Sequence, residues 1–261
     1  MDALNERRAA LKHKLANQGR ILAGWTSLAH PSIAEIFSRM GIDFLGIDLE
    51  HSTIDQEQSQ RIIAACHAGG CLCLPRIPTH DQQTIKRLLD SGADGIIAPT
   101  VETAEQAAQL VTWMKYPPLG RRGYGIARAQ GYGFDFEAYT TRWNDISTLI
   151  VQIESVQGVD NIDAILSVEG VDGAMVGPYD LSGSLGVSGQ IDHPKVREAG
   201  KRVAEACRRL GKACGTQSVA PTVESVNRHF EDGYTFVVLA SDIFLLWKWS
   251  AEMAELGKAV R

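Results

Sequence analysis

Short apolar runs alternate with longer amphipathic stretches along the whole chain. Each strand-like run, rich in apolar and β-branched residues, is followed by a stretch of helical periodicity such as SIAEIFSRM or DQEQSQRIIAACHAGG. The strand-like runs are ILAGWT, FLGIDLE, CLCLPRI, GIIAPTV, TLIVQIE, GAMVGP, ACGTQ and TFVVLA. Eight β/α units in a chain of 261 residues predict an α/β fold, the (β/α)8 TIM barrel.

Glycines follow many of the predicted helices, where a chain commonly leaves the helix through a left-handed residue. They are Gly41, Gly69, Gly92, Gly170, Gly211 and Gly233. A doubly wound open sheet is the alternative fold, but its glycine fingerprint should directly follow a strand. The nearest match, GYGIARAQGYG, lies in a long irregular segment over residues 116–135, and we interpret it as a mobile loop over the site. No Pro/Ser-rich linker divides the chain, so we predict one domain over residues 1–261.

The composition favours small-molecule chemistry. Of 261 residues, 44% are hydrophobic, which suffices for one large core, and a net charge of −5 without long Lys/Arg clusters disfavours nucleic-acid or membrane partners. No apolar run approaches the roughly 20 residues of a membrane span, and MDALNERRAALKHKLANQGR lacks the features of a signal peptide. Five cysteines without CxxC spacing indicate reduced packing residues. We therefore expect a cytoplasmic protein.

Charged residues stand at the ends of the second and third strand-like runs. Asp48 and Glu50 share one face of the second run because alternate side chains of a strand point the same way. His51 follows them, and Arg76 ends the third run. Scattered buried charges are unfavourable by several kcal/mol each, so we expect these groups to gather at the C-terminal rim, where TIM barrels carry their active sites. Alternatively, Glu50 caps the helix beginning near Asp55 or pairs with Arg76, and His51 is structural.

Two further acids follow the fifth and sixth runs. Glu154 shares a face with Gln152, and Asp180 comes just after GAMVGP. Neighbouring strands lie about 4.8 Å apart, so both carboxylates can reach one ion. Oxygen ligands without Cys or His favour a hard divalent cation, Mg²⁺ or Mn²⁺. The alternative is a pair of unrelated surface acids.

Asp90 ends the predicted helix QQTIKRLLD, where the helix dipole disfavours a carboxylate, so another group should compensate its charge unless it is simply solvated. Lys86, Lys115 and Lys212 lie on or after helices and not at strand ends. This placement argues against chemistry that works through a lysine Schiff base.

Several motifs occur in a characteristic order along nearly the whole chain: GIDFLGIDLEHS, LPRIP, IKRLLDSGADGIIAPTVETAEQA, KYPPLGRRGYG, VQIES and GVDGAMVGPYDLSGSLG. In them the sequence resembles the HpcH/HpaI family of class II, metal-dependent pyruvate aldolases. The resemblance implies a barrel of the phosphoenolpyruvate/pyruvate superfamily. It also implies cleavage or formation of 4-hydroxy-2-oxoacids, with pyruvate or a related 2-oxoacid and an aldehyde as partners, through a metal-stabilised enolate.

The resemblance also assigns roles to residues. The metal ligands would be Glu154 and Asp180, holding Mg²⁺ or Mn²⁺, with Co²⁺ possible. The catalytic residues would be His51, Arg76, Asp90 and Asp48. The oxoacid would be bound by Arg76, Gln152, Gly177 and Pro178.

Family resemblance further implies a homo-oligomer, a trimer or a hexamer built as a dimer of trimers. Asp90 would reach His51 of a neighbouring subunit, and the last helix, DIFLLWKWSAEMAEL, would be exchanged between subunits; the alternative is an ordinary eighth barrel helix. The segment GRRGYGIARAQGYG, with Arg122, Tyr124 and Arg128, would contact an acidic or polyhydroxylated aldehyde or form salt bridges at a subunit boundary. Two alternatives stay open: an acyl-CoA carbon–carbon lyase, and a barrel that binds an oxoacid without turning it over.

Overall fold

A computed structural model describes residues 2–260. Eight parallel strands follow one another around a closed barrel, and the eighth strand pairs with the first. The strands are β1 (Ile21–Thr26), β2 (Phe44–Asp48), β3 (Leu72–Arg76), β4 (Gly95–Ala98), β5 (Thr148–Ile153), β6 (Gly173–Val176), β7 (Ala213–Ser218) and β8 (Phe236–Leu239). The predicted TIM barrel is confirmed, and the open sheet is wrong.

The helices surround the barrel and alternate with its strands. They are α1 (Asp2–Ala16), α2 (Pro31–Ser38), α3 (Gln56–Ala68), α4 (Gln82–Asp90), α5 (Ala104–Met114), α6 (Phe136–Ile146), α7 (Val156–Asp160), α8 (Ile162–Leu166), α9 (Pro178–Ser184), α10 (Pro194–Arg209), α11 (Val223–Glu231) and α12 (Asp242–Ala259). A 3₁₀ helix spans Arg128–Gly133. Of the predicted helix-ending glycines, five have positive φ, whereas Gly69 is right-handed and its neighbour Gly70 takes the positive φ of 74°.

Most strands are shorter than their apolar runs. β2 ends at Asp48, β3 at Arg76 and β5 at Ile153, so Glu50 and Glu154 lie just beyond the ladder. These positions lack a strand partner and can turn toward the barrel axis. The ends of the runs therefore form the mouth of the barrel and not its wall.

The N-terminal helix closes the other end of the barrel. Leu11 and Leu15 of α1 are 3% and 1% exposed and belong to the same buried cluster as the inward-facing Phe44, Leu74 and Phe236. Removing such apolar area from water is worth about 25 cal/mol per Å², so the helix is held by burial as well as by charge. The interior is thus packed at this end, and the C-terminal mouth is the face left for chemistry.

One tripeptide pattern recurs before every even-numbered strand. A glycine with positive φ is followed, two residues later, by Asp43, Asp94, Asp172 or Thr235. Each of these residues bonds twice to a single residue of the preceding strand: its backbone N–H donates to that residue's carbonyl, and its side-chain oxygen accepts from that residue's N–H. Their partners are Leu22, Cys73, Leu149 and Cys214. The strands are therefore tied in pairs at the N-terminal end.

Three of these residues also bind α1. Arg8 contacts Asp94 at 2.6 Å with both side chains 1% exposed, and Lys12 contacts Asp172 at 2.6 Å. Lys14 contacts Asp43 in the same way, near the surface. The acids that join the strand pairs thus also fix the helix that closes the barrel.

The segment over residues 116–135 does not cover the C-terminal mouth of its own barrel. It follows α5 and precedes β5, and Arg128 donates to the carbonyl of Ser91 just before β4, at the N-terminal end. Arg122 is 2% exposed and bonds Asp90 and Tyr139. The expectation of a loop over the site is wrong within one subunit because a helix-to-strand connection returns to the opposite end.

Candidate active site

The pair Asp48 and Arg76 forms the floor of the mouth. Arg76 Nε and Nη2 both donate to Asp48 Oδ1, at 3.1 and 2.8 Å, and the register of β2 and β3 sets the two residues side by side. Asp48 is buried, which favours its neutral form, but the charge and hydrogen bonds of Arg76 outweigh this effect and lower its pKa. The guanidinium also lies over the Trp25 ring, 5.1 Å from its centroid.

Glu50 and His51 extend this pair toward solvent. The amides of both residues donate to Asp48 Oδ1, so Asp48 shapes the turn after β2. Glu50 Oε2 lies 3.2 Å from Arg76 Nη1 and 3.8 Å from His51 Nε2. Burial raises the pKa of Glu50, and the negative charges of Glu154 and Asp48 raise it further. The positive charge of Arg76 lowers it but does not cancel the rise. The helix cap near this point is Asp55 and not Glu50, so the pairing with Arg76 is the alternative that the structure supports.

Glu154 lies at the mouth, directly after β5, and is 7% exposed. Its Oε1 accepts from both the backbone N–H and the hydroxyl of Thr100, at 2.7 and 2.6 Å, and its Oε2 accepts from Gln152 Nε2 at 2.6 Å. Burial raises the pKa of Glu154, the Thr100 hydrogen bonds oppose this, and the charge of Asp180 raises it further. The charges of the two acids therefore influence each other, and their sharing of one ion stays a prediction.

Gly177 and Pro178 form the turn from β6 into α9. A Cβ atom at Gly177 would lie 2.7 Å from Glu154 Oε2 and 2.8 Å from Gln152 Nε2, so a larger residue would displace them. Asp180 follows in the first turn of α9 and is exposed. The turn thus brings backbone close to Glu154 and leaves Asp180 open to a ligand from the mouth.

The donor set of this mouth fits a hard divalent ion. Gln152 is 3% exposed, and its Oε1 has no hydrogen-bond partner among residues 2–260. This buried oxygen can therefore accept a hydrogen bond from a ligand or bind a cation. The nearby carboxylates of Glu154 and Asp180 supply oxygen ligands only. Across residues 2–260 no three His, Cys, Asp or Glu side chains are grouped to hold a metal, so substrate or water would complete the coordination.

Asp90 stands apart from these residues within one subunit. Its Oδ1 accepts from Arg122 Nη2 at 2.9 Å at the end of α4, on the N-terminal side of the barrel. Arg122 therefore provides the compensation that a carboxylate at a helix C-terminus requires. The structure brings together Asp48, Glu50, His51, Arg76, Gln152, Glu154, Gly177, Pro178 and Asp180, and it does not bring Asp90 to them.

Sequence reasoning missed three residues of this network. Thr100 binds Glu154, and Ser27 Oγ donates to Asp48 Oδ2 at 3.3 Å. Asp242, 3% exposed, accepts from Thr26 Oγ1 at 2.6 Å and from the amides of Ser27 and Leu28, and so ties the start of α12 to the β1 loop. Thr100 and Ser27 follow strand ends, and this position is the signal that could have identified them.

Comparison with known families matches residues 22–248 to the HpcH/HpaI aldolase/citrate lyase family. The chain belongs to this family. It is 37% identical over 248 residues, 95% of each chain, to a 5-keto-4-deoxy-D-glucarate aldolase of Citrobacter koseri. The structure of an HpcH/HpaI aldolase/citrate lyase family protein from Burkholderia cenocepacia is similar at a TM-score of 0.89 and 31% identity, over 95% of this chain and 99% of that one. The structure of a citrate synthase, SbnG, is similar at a TM-score of 0.82 and 28% identity, over 95% of this chain and 98% of that one.

These similarities confirm the predicted family and the predicted carbon–carbon lyase. They also confirm the predicted reaction class, that of an aldolase which cleaves a 4-hydroxy-2-oxoacid to a pyruvate-type product and an aldehyde. No helix within residues 2–260 combines the length and the apolar character needed to cross a bilayer.

Proposed function

We propose that the protein is a metal-dependent aldolase whose substrate is a hydroxylated 2-oxo diacid of the 5-keto-4-deoxy-D-glucarate type. The name of its Citrobacter relative supports this substrate class. Such a compound carries a methylene beside the keto carbon and a hydroxyl on the next carbon. Breaking the bond between the methylene carbon and the hydroxyl-bearing carbon gives pyruvate and a three-carbon aldehyde acid with one hydroxyl.

The observation that carries the proposal is the arrangement of charge across the mouth. Glu154, on which the charge of Asp180 acts, lies near the Arg76 and Asp48 pair, and among residues 2–260 its carboxylate accepts hydrogen bonds from the neutral groups of Thr100 and Gln152. Within residues 2–260 neither acid forms a salt bridge, and two such acids near a fixed guanidinium suit a bound cation and the anionic oxoacid that it attracts. This arrangement is typical of an oxoacid site and not of a structural salt bridge.

We propose that Glu154 and Asp180 hold the metal, Mg²⁺ or Mn²⁺, with Co²⁺ as a further candidate. When bound, such an ion acts as a Lewis acid on the 2-oxoacid. Gln152 would orient the oxoacid, and the peptide groups of Gly177 and Pro178 would meet its carboxylate. The close approach of Gly177 to Glu154 supports this role.

Arg76 would stabilise the negative charge that grows on the keto oxygen as the carbon–carbon bond breaks. Its positive charge is permanent, and Asp48 fixes its orientation with two hydrogen bonds, so little reorganisation is needed during the reaction. Removing one such donor typically costs about 3 to 4 kcal/mol of barrier.

His51 would move the proton. In cleavage its imidazole would accept the proton of the 4-hydroxyl as the aldehyde forms and would return a proton to the methylene carbon to complete pyruvate. An imidazole suits this task because its unperturbed pKa lies near working pH. His51 is exposed, Glu50 is the acid that its ring faces within residues 2–260, and we propose that Asp90 of the partner subunit orients it.

The exposed face of α12 supports a homo-oligomer, a trimer or hexamer. Only Asp242 of this helix is buried, whereas Leu246, Trp247 and Trp249 are 50%, 64% and 59% exposed. An ordinary barrel helix would bury such residues against its own sheet. We propose that a second copy of the chain covers this face. We also place the enzyme in the cytoplasm, since its five cysteines are free thiols buried in the fold.

The test is a panel of 4-hydroxy-2-oxoacids assayed for pyruvate and aldehyde release, with EDTA and with Mg²⁺ or Mn²⁺ restored. We expect release from the dicarboxylic substrates, loss of activity in EDTA and recovery with metal. Full activity in EDTA would contradict the metal role. Turnover of an acyl-CoA substrate alone, or oxoacid binding without release of either product, would overturn the aldolase.

A further inference from the structure

Thr100 has a backbone conformation that its residue type disfavours. Its φ is +50°, in the left-handed region, although it is a β-branched residue and not glycine. A β-branched side chain with positive φ is a genuine outlier, and such strain persists only where the surroundings fix it. Thr100 lies directly after Pro99 beyond the end of β4 and is exposed at the barrel mouth.

The contacts of Thr100 account for this conformation. Its backbone N–H and its hydroxyl both donate to the same oxygen, Glu154 Oε1, at 2.7 and 2.6 Å. In this conformation the amide and the hydroxyl of Thr100 both point to this one oxygen. Two short bonds to a buried carboxylate are the compensation for the strain.

The two oxygens of Glu154 are consequently fixed separately. Thr100 holds Oε1, whereas Gln152 Nε2 donates to Oε2, the oxygen nearest to Gly177. With donors on both sides the carboxylate cannot rotate about its last bond without breaking a hydrogen bond. Its orientation relative to Asp180 is therefore set before any ligand arrives.

We propose that Thr100 is a positioning residue whose hydroxyl holds the Glu154 carboxylate in the orientation that binds a divalent cation. This inference rests on the proposed function, in which Glu154 is a metal ligand. Partners that orient a metal ligand typically change metal affinity by about 10-fold to 100-fold when they are removed. The hydroxyl is the part of this contact that the side chain supplies, since the N–H belongs to the backbone.

The experiment compares Thr100→Ser, which keeps the hydroxyl, with Thr100→Ala, which removes it. The dissociation constant of Mn²⁺ is measured by calorimetry on metal-free protein, with Glu154→Gln as the reference for the site. We expect Thr100→Ser to bind Mn²⁺ within about 3-fold of the wild type and Thr100→Ala to bind about 10-fold more weakly. Thr100→Gly, which relieves the strain and keeps the N–H, should match Thr100→Ala and keep an unchanged or higher unfolding midpoint.

Each outcome decides a separate point. If Glu154→Gln weakens Mn²⁺ binding strongly but Thr100→Ala and Thr100→Gly bind like the wild type, the positioning role is overturned and the proposed metal site stands. If Thr100→Ser weakens binding as much as Thr100→Ala, the hydroxyl is not the group that matters, and the inference also fails. If Glu154→Gln binds Mn²⁺ like the wild type, the proposed metal site fails and the role of Thr100 with it.

Discussion

Arg76 directs two of its nitrogens to a single oxygen of Asp48, and its third nitrogen lies 3.2 Å from Glu50 Oε2. The guanidinium plane is therefore fixed on two sides before substrate arrives. Lysine cannot reproduce this arrangement, because an ammonium group is a point charge without the planar fork.

For Arg76→Lys we expect kcat to fall on the order of 100-fold while the unfolding midpoint changes little, because the charge stays but its orientation is lost. Steady-state kinetics of pyruvate release and thermal unfolding check the two parts. Arg202→Lys is the matched control, since Arg202 pairs with Asp160 at 3.0 Å on the exposed outer surface. Wild-type kcat in Arg76→Lys would remove Arg76 from the reaction.

Gly177→Ala should disturb the site through one methyl group, because its Cβ would lie 2.7 Å from Glu154 Oε2 and 2.8 Å from Gln152 Nε2. We expect Mn²⁺ affinity or kcat/KM to fall by about 10-fold to 100-fold, as a misplacement of about 1 Å typically produces. Gly183→Ala, in the helix α9 that follows Gly177, is the control, because its Cβ would meet only Ser188 Oγ at 3.9 Å. Equal behaviour of the two variants would contradict the close packing at Gly177.

Asp94→Asn tests the closed end of the barrel. Asp94 is 1% exposed and contacts Arg8 at 2.6 Å, His67 at 3.0 Å and the Cys73 amide at 2.7 Å. Leaving a buried guanidinium without its partner costs about 3 to 5 kcal/mol, which urea unfolding would measure. The exposed pair of Asp192 and Arg197 gives the comparison, where Asp192→Asn should change stability by less than about 1 kcal/mol. A loss of that small size at Asp94 would show that α1 is not held by this ion pair.

Lys115 makes stability depend on alkaline pH. Burial, with the charge of Lys12 adding to it, lowers its pKa from 10.5 to about 8. Between these two values the unfolded chain binds a proton that the folded chain has released, so the free energy of unfolding rises with pH across the window. Relative to Lys115→Met, the wild type should gain about 3 kcal/mol from below pH 8 to above pH 10. Denaturant unfolding of both proteins at several pH values checks this, and a difference independent of pH would refute it.

Trp247→Glu tests the face of α12. In the proposed oligomer a charge at the centre of this apolar face is strongly unfavourable, so we expect analytical ultracentrifugation to show a smaller species for Trp247→Glu than for the wild type. Lys201→Glu on α10 is the control, because Lys201 is exposed on a polar surface. An unchanged mass for Trp247→Glu would mean that this face is not an interface.

Periodicity in the sequence predicted the eight strands and the rim on which they end, because strand alternation and burial are local properties. The partners of Asp90 and Glu154 were not predictable in this way. Arg122 lies 32 residues from Asp90, and Thr100 lies 54 residues from Glu154, so these contacts depend on tertiary packing, which for Thr100 and Glu154 is the pairing of β4 with β5. The position of residues 116–135 was misread because a glycine-rich sequence does not indicate which end of a barrel it occupies.

The tripeptides before β2, β4, β6 and β8 divide the barrel into four doublets: β1 with β2, β3 with β4, β5 with β6, and β7 with β8. Residues inserted between doublets, for example after α3, leave all four tripeptides and their hydrogen bonds to the preceding strands intact. The same insertion just ahead of Asp94 separates this residue from Gly92 and from β3, whose Cys73 it binds. The boundaries between doublets are therefore the places where this barrel can be lengthened, split or recombined with a relative.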